Sequence, residues 1–381
     1  MSENGEFALV PRLPSAVEKA VPGAKHILSG MVTETLALVK RDQRTLAQAT
    51  FRIGSTDWCE PDYRQILLWA KATRLKPEEI LACLYSYKNI CTDSEDGQMN
   101  LFPVFDEPWI TEGRLRKVNW NFGLLPCSDF DWADGLELTH ARFFSTASES
   151  RLNESGPSPS LLKSQPLSRL IELHCRGLGL TELDLSKIPS LRWLKCNQNR
   201  LQELMLDAVP ELTSLRCDTN QIEELDFRRT PRLASLDCSD NNLSSLELSG
   251  LTQLTQVSCR RNQLSDLRLH HLPSLCKLDC AGNWLRDLIL VQVPGIEELN
   301  CSDNDLYRLD LSRCRELVSL DCSDNRLTEL DVSSCGDISE LICPQNRLTS
   351  LDIRNLRNLE TLAYDEERTR LIQRPDQEFG L

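Results

Sequence analysis

The feature that most constrains the fold of this chain is a cysteine that returns every 21 residues. The six letters LDCSDN occur at 236–241 and again at 320–325, and LNCSDN occurs at 299–304. An asparagine lies three residues after eight of the nine cysteines, while the first unit has Leu178 there. A period of this kind predicts stacked coils, because one short coil cannot bury its own apolar side chains. The nine cysteines are Cys175, Cys196, Cys217, Cys238, Cys259, Cys280, Cys301, Cys322 and Cys343.

The consensus of the unit is LxxLxCxxNxLxxLxLxxxPx, and it runs from about Leu170 to Tyr364, where tyrosine stands in place of the next cysteine. This pattern resembles the leucine-rich repeat family. Its period and its cysteine column are most similar to bacterial cysteine-ladder arrays of the internalin J type. The resemblance implies an α/β-type solenoid, a horseshoe with a parallel concave sheet. We expect neither a secretory signal nor a wall anchor, nor the domain of the secreted ubiquitin-ligase effectors, so neither family's function is transferred.

The residues themselves predict the same shape. In the stretch LxxLxC, alternate side chains lie on one face of a short strand, and stacked coils bring these strands into a parallel sheet. A coil of 21 residues leaves little room for a helix, so we expect short extended or 3₁₀ segments on the convex side. The asparagine column suits a buried turn, in which the amide bonds backbone groups of adjacent coils.

The cysteine column has three chemical interpretations and one structural interpretation. A metal site needs ligands that converge on one ion, a disulfide needs Cβ atoms about 3.8 Å apart, and a nucleophile needs a base and partial exposure. Thiols in a line at one strand spacing, with no histidine column beside them, match these requirements poorly. We therefore predict that the cysteines pack as small apolar residues. We expect no metal and no other cofactor.

Function in such an array is expected at the outward positions of the concave strands. The positions beside the cysteines are basic in the first strands and acidic from Asp279 to Asp324. Acidic neighbours on adjacent strands repel, which makes them a candidate surface for a protein partner with a basic surface. The alternative is an ordinary solvated face whose acids recur because the unit was duplicated. The predicted partner-binding residues are Trp193, Lys195, Arg216, Asp237, Asp240, Arg260, Arg261, Asp279, Asp303, Asp321 and Asp324.

The N-terminal part of the chain does not follow the period and is predicted to be mainly helical. Apolar spacing favours a helix from Met31 to Phe51, and Pro61 and Pro77 each open a further helix. Two later pieces, LRKVNWNF and LELTHARFF, are strand-like and predict degenerate repeats that cap the array. The tryptophans are expected to fill a small helical core. The predicted organisation is a helical region at 1–110, capping repeats at 111–169 with a polar loop at 148–166, leucine-rich repeats at 170–364 and a tail at 365–381.

Charge and hydropathy patterning exclude several classes of function. The net charge of −14 argues against nonspecific nucleic-acid binding and against a polybasic membrane contact. No run approaches the length of about 18 apolar residues that a membrane span needs. The N-terminus lacks the basic and apolar regions of a secretory signal, so we expect a cytoplasmic protein. Secretion by a route that reads an unstructured N-terminus stays open.

No phosphate-binding loop, nucleophile elbow or dinucleotide fingerprint occurs in the sequence. The remaining candidates for chemistry are a pair of Cys59 with His140 and three acids, Asp57, Glu60 and Asp62. The polarity of a helix N-terminus explains the acids more simply. We therefore predict a non-catalytic interaction scaffold or adaptor that recognises a protein on its concave face. The alternative is a bacterial effector or defence-type protein, in which the helical region carries the activity and the repeats target it.

Overall fold

The computed structural model describes the repeat array almost throughout and the N-terminal part in separate segments. The predicted polar loop at 148–166 lies outside the described residues, as do the last four residues of the predicted tail. The described residues are 50–53, 56–73, 75–85, 110–111, 114–115, 117–121, 137–144, 167–290, 292–375 and 377.

The N-terminal segments contain two helices that begin where the sequence predicts them. Pro61 lies in the first turn of one helix, and Pro77 opens the other with acidic residues behind it. The helix predicted from Met31 lies outside the described residues up to Ala49, and its last two residues form a strand instead. Neither described helix is long and apolar enough to cross a membrane. These elements are β1 Thr50–Ile53, β2 Thr56–Cys59, α1 Glu60–Thr73, α2 Pro77–Tyr85, β3 Ile110–Thr111 and β4 Arg114–Leu115.

The later strands are short and follow one another at every coil. They are β5 Lys117–Asn121, β6 His140–Phe144, β7 Glu172–His174, β8 Trp193–Lys195, β9 Ser214–Arg216, β10 Ser235–Asp237, β11 Gln256–Ser258, β12 Leu267–Arg268, β13 Lys277–Asp279, β14 Leu288–Ile289, β15 Glu298–Asn300, β16 Ser319–Asp321, β17 Glu340–Ile342, β18 Ser350–Asp352, β19 Thr361–Ala363 and β20 Arg370–Ile372.

Twelve of these strands form one parallel sheet on the concave side, running from β5 to β19. Strand β5 pairs with β6, and β6 pairs with β7, so the two strand-like pieces before the repeats are confirmed as strands of this sheet. Within the repeats every strand pairs with the equivalent residues of the next coil, as when Leu236 faces Val257. A parallel sheet of this size is about 50 Å wide, because neighbouring strands lie about 4.8 Å apart.

Each coil buries the same set of side chains because the strand alternates. In one central coil Leu254, Val257, Cys259 and Leu264 are all at most 1% exposed. The middle residue of each strand and the cysteine after it point inward, and the leucines of the turn and of the convex side close the other walls. The core is therefore one continuous column that each coil shares with its neighbours.

The convex side consists of turns and very short strands. Strand β12 pairs with β14, and β18 pairs with β20, each in a two-stranded parallel sheet. Elsewhere single i→i+3 turns carry the chain around, as when Leu191 N–H donates to the carbonyl of Ile188 at 3.1 Å. The expected extended segments are confirmed, whereas the described repeats contain no 3₁₀ segment, because these turns do not continue into a helical run.

The two described helices cover the N-terminal end of the core. Ile66, Trp69 and Ile80 are fully buried and belong to the same apolar cluster as the leucines of the repeats. Helix α2 packs against β5, the first strand of the concave sheet. The burial of Trp69 confirms the prediction that tryptophans fill the core, for this one tryptophan of the region.

At the far end of the array, an aspartate side chain replaces the backbone carbonyls of a further coil. Tyr364 follows β19 where a tenth cysteine would fall, and it packs against the core. The carboxylate of Asp365 then accepts the backbone N–H groups of Gln345, at 3.0 Å, and Asn346, at 3.1 Å. These donors would otherwise lack the coil that satisfies them elsewhere, so Asp365 terminates the hydrogen-bonded stack.

Candidate functional site

The concave sheet presents two columns of variable side chains on a constant frame. The first and third residues of each strand point outward, and the second points into the core. Register pairing aligns these positions from coil to coil, as Lys277 aligns with Glu298 and Asp279 with Asn300. Residues from every coil therefore meet on one surface while the interior stays the same.

The interior column of cysteines offers no reactive group. All nine ladder cysteines are free thiols, and each is at most 1% exposed. Burial raises the pKa of every one of them, to about 12 for Cys175 and Cys343, so the thiols stay protonated at neutral pH. The predicted packing role of the cysteines is confirmed by this burial.

A buried polar cluster lies at the N-terminal end of the concave face. The side chain of Glu172 is fully buried, with Arg142 Nη2 at 3.1 Å and His174 Nε2 at 2.8 Å from its Oε1 atom. His140 Nε2 lies 4.0 Å from the other carboxylate oxygen. Burial alone would raise the pKa of Glu172, but His174, Arg142 and His140 outweigh it and lower that pKa. The carboxylate therefore joins β6 to β7 as a charged group held by its neighbours.

Sequence reasoning missed this cluster. His174 belongs to the basic first strands of the array, but Arg142 and His140 lie on β6, which does not follow the repeat period. His140 pairs with Glu172, 32 positions later rather than 21, so the period could not align the two strands. A signal was nevertheless present in LELTHARFF, because its strand pattern places His140 and Arg142 on the same face.

Two predicted contact residues lie on β8, beside this cluster. Trp193 is half-buried and aligns with Glu172 on one side and Ser214 on the other. Lys195 stands in the outward column as predicted, but it is only 9% exposed, which differs from the open position expected for it. Its column neighbours are two other long side chains, His174 and Arg216.

The charge of the concave face changes sign between β9 and β10. Arg216 Nε lies 2.9 Å from Asp218 Oδ1 and 3.5 Å from Asp237 Oδ2. Burial and the nearby Asp218 raise the pKa of Asp237 to about 6, while the Ser239 hydrogen bonds and Arg216 act in the opposite direction. The sequence predicts an open acid at Asp237, whereas its side chain is only 21% exposed.

The acids of the later strands bind their own turns. Oδ1 of Asp321 accepts the backbone N–H of Ser323 at 3.0 Å, and Asp279 accepts that of Ala281 at 3.2 Å. Asn300 makes the same bond to Ser302 at 3.1 Å, although it carries no charge. The residue before each of these cysteines thus has a structural role that needs an acceptor rather than a charge.

Four of the predicted contact residues lie in the turn after the cysteine rather than on a strand. Their backbone is left-handed, with φ of 52° at Asp240, 47° at Arg261, 52° at Asp303 and 51° at Asp324. Asparagine and aspartate tolerate this conformation better than most residues. These side chains line the edge of the face at the carboxyl ends of the strands. Arg261 Nη1 lies 3.2 Å from Asp240 Oδ1, so two of the four pair with each other.

The concave face becomes more open along the array. Ser214 and Ser235 in the first column are buried, whereas Glu298 in the same column has a side chain that is 52% exposed. The cations of this open half all have partners: Arg260 lies 3.5 Å from Asp279, and Lys277 lies 2.5 Å from Glu298. The accessible part of the predicted surface is therefore the part from β11 onward.

Comparison with known proteins supports the fold. No protein-family model and no curated protein matches the chain. Solved structures do resemble it. The functional domain of InlJ from Listeria monocytogenes, which includes a cysteine ladder, is 23% identical over 68% of this chain and 68% of that one, with a TM-score of 0.46. The internalin InlF from the same organism is 18% identical over 62% of this chain and 68% of that one, with a TM-score of 0.52.

A leucine-rich repeat protein from Leptospira interrogans is 16% identical over 70% of this chain and 79% of that one, with a TM-score of 0.51. At such identities the likeness concerns the fold alone. The predicted leucine-rich repeat solenoid and its resemblance to bacterial arrays of this type are confirmed.

Proposed function

We propose that this protein is a non-catalytic interaction scaffold that binds a protein partner with a basic surface on the open half of its concave face. The observation that carries the proposal is an imbalance of charge there. The cations of this half, Arg260, Arg261 and Lys277, each lie beside a carboxylate. Asp321 and Asp324, in contrast, form no ion pair with any described residue, and both lie where a partner can reach them.

The physical form of the surface suits protein recognition. Its side chains stand on strands whose positions are fixed by the shared core, so little order has to be gained on binding. Its acidic character repels phosphates and attracts basic side chains, and it would raise the rate of encounter with a basic partner. We further propose that the protein acts in the cytoplasm, a reducing compartment in which the free thiols of the ladder persist. In this proposal the helical region is the cap of the array.

The test neutralises the acids without disturbing their turns. Asn300 already holds the place of Asp279 and Asp321 in another coil and makes the same turn hydrogen bond, so Asp→Asn at these two positions keeps the acceptor and removes the charge. Asp303 and Asp324 have a left-handed backbone, which asparagine also tolerates. The concave variant therefore combines D279N, D303N, D321N and D324N. The matched control carries the same four charge changes on the convex side, where D226N, D310N, D331N and D352N alter acids that also accept turn N–H groups.

Affinity capture from lysate of the source cells, with isotope-labelled quantification, compares the three proteins. We expect a partner that wild type and the convex control retain equally and that the concave variant loses by about tenfold, which corresponds to about 1.4 kcal/mol. Circular dichroism and thermal melting check that the folds are equal. Equal recovery by the two variants would contradict the proposed surface, since a nonspecific effect of net charge does not distinguish the faces.

A further inference from the structure

Equivalent positions of successive coils form columns, and each column shows which type of surface residue is usual at its position. Two adjacent coils carry residues that differ from the rest of their columns. Trp284 is 59% exposed and stands four residues after its cysteine, while Tyr307 is 49% exposed and stands six residues after the next one. Elsewhere these two columns are polar or small. The fourth position holds Gly179, Arg200, Gln221, Asn242, Gln263, Asp305, Arg326 and Arg347, and the sixth holds Thr181, Gln202, Glu223, Ser244, Ser265, Arg286, Thr328 and Thr349.

The two aromatic residues lie close together on the lateral side of the solenoid, between the concave sheet and the convex turns. Arg286 and Tyr307 occupy equivalent positions of neighbouring coils, whose backbones are about 4.8 Å apart. Asp305 N–H donates to the carbonyl of Leu285, so the segment that leads into Tyr307 lies beside Trp284 in the neighbouring coil. We call Trp284, Arg286 and Tyr307 the lateral patch.

Local contacts hold the ring of Tyr307 in place. Its hydroxyl donates to Asp287 Oδ2 at 3.2 Å, and the guanidinium of Arg308 lies 5.7 Å from the ring centroid. Arg308 Nε in turn donates to Asp287 Oδ1 at 2.8 Å. A ring that is already fixed loses little freedom when a partner packs on it. Tryptophan, tyrosine and arginine are also the residue types that dominate binding hot spots.

The lateral patch carries one exposed cation beside its two rings. Asp287 and Asp305, the acids next to the patch residues in sequence, are neutralised by Arg308 and by Arg326, the latter at 2.6 Å. Asp303, whose carbonyl accepts the N–H of Asn283, is an exposed acid at the concave edge of the patch. Arg286 is exposed and forms no ion pair with any described residue. An exposed arginine with no described ion-pair partner, beside two exposed rings, favours a ligand that offers both a carboxylate and an apolar side chain.

We propose that the lateral patch is a second docking site, which binds an acidic protein segment that carries an apolar side chain among its carboxylates. The apolar side chain packs between the rings of Trp284 and Tyr307, and a neighbouring carboxylate pairs with Arg286. The other exposed large apolar residues do not share this arrangement. Met205 and Val318 lie in different coils and columns from each other, and scattered apolar residues of this kind are normal on a protein surface.

The experiment uses three fluorescein-labelled synthetic peptides of equal length. The first alternates acidic residues with leucine and phenylalanine, the second replaces its acids with lysine, and the third replaces its apolar residues with serine. Fluorescence anisotropy measures their binding to the full chain. The double variant W284Q and Y307T takes its new residues from the same columns, where Gln263 and Thr328 stand in other coils. R286S follows Ser265 in the same way, and M205Q removes the most exposed apolar side chain elsewhere.

We expect the acidic apolar peptide to bind wild type at least about tenfold more tightly than either of the other two peptides. The double variant should bind this peptide about tenfold more weakly than wild type, because it lacks both aromatic rings. R286S should bind it about threefold more weakly, because it lacks the cation that pairs with a carboxylate. M205Q and a concave pair of changes, D279N and D321N, should bind as wild type does, which separates this site from the concave one. The proposal is overturned if wild type does not distinguish the three peptides, or if M205Q loses as much affinity as the double variant.

Discussion

At the scale of single residues, the asparagine of each coil links that coil to the one before it. The Nδ2 group of Asn262 donates to the carbonyls of Cys238, at 3.1 Å, and Cys259, at 3.0 Å. Its Oδ1 atom accepts the N–H of Leu243 at 3.0 Å. These backbone groups are buried, so nothing else replaces the amide if it is lost.

Replacement of Asn262 by alanine should therefore lower the free energy of unfolding by about 3–5 kcal/mol, since each unsatisfied buried group costs about 1–3 kcal/mol. Urea denaturation of the two proteins measures the difference. Gln263→Ala is the matched control, because this neighbouring residue is exposed, and it should change the stability by less than about 0.5 kcal/mol. Equal effects of the two changes would show that the amide does not hold the coils together.

At the scale of elements, the pair β9 and β10 shows how a strand position acquires an unusual acid. Arg216 on β9 lies beside two carboxylates, and Asp237 on β10 is both buried and close to Asp218. The folded protein therefore binds a proton at Asp237 more tightly than the unfolded chain does. The ionised Asp237 therefore destabilises the folded protein. This destabilisation is absent below pH 4 and reaches its full size above about pH 6.

The variant D237N should consequently gain stability relative to wild type as the pH rises from 4 to 7, by about 1–3 kcal/mol. Asparagine keeps the acceptor for the Ser239 N–H group, as Asn300 does in its own turn. D310N is the control of opposite sign, because its hydrogen bonds with Ser312 lower the pKa of Asp310. Relative to wild type, D310N should therefore be less stable at pH 7 than at pH 4. Denaturant unfolding at both pH values measures the two trends, and a flat difference for D237N would contradict the burial argument.

The elements also show what the sequence could predict and what it could not. The 21-residue period and the alternation of side chains were sufficient to predict the concave columns and the inward cysteines, because the same local rule applies in every coil. Proline at the start of each helix was sufficient for α1 and α2. The cluster around Glu172 depends on side chains from β6 and β7, whose paired residues are 32 positions apart rather than 21. The exposed Trp284 was visible in the sequence, but only a comparison of columns distinguishes it from a core residue.

At the scale of the whole molecule, stability is shared between neighbours rather than across the entire array. Each coil contacts the coils beside it through strand pairs, asparagine bonds and leucine contacts. The N-terminal end is closed by α1 and α2, and the far end by Asp365 and the turns around it. A disturbance at one end should therefore weaken with distance along the solenoid.

Trp69→Ala tests this directly, because Trp69 is fully buried in α1 and belongs to the continuous core. Removal of so large a side chain should cost about 3–5 kcal/mol locally. Hydrogen exchange followed by mass spectrometry should then show the greatest loss of protection at β5 to β8 and little or none at β16 and β17. Lys71→Ala, an exposed change in the same helix, should leave the pattern unaltered. A uniform loss along all strands would mean that the cap and the repeats unfold as one cooperative unit, and the nearest-neighbour account would be wrong.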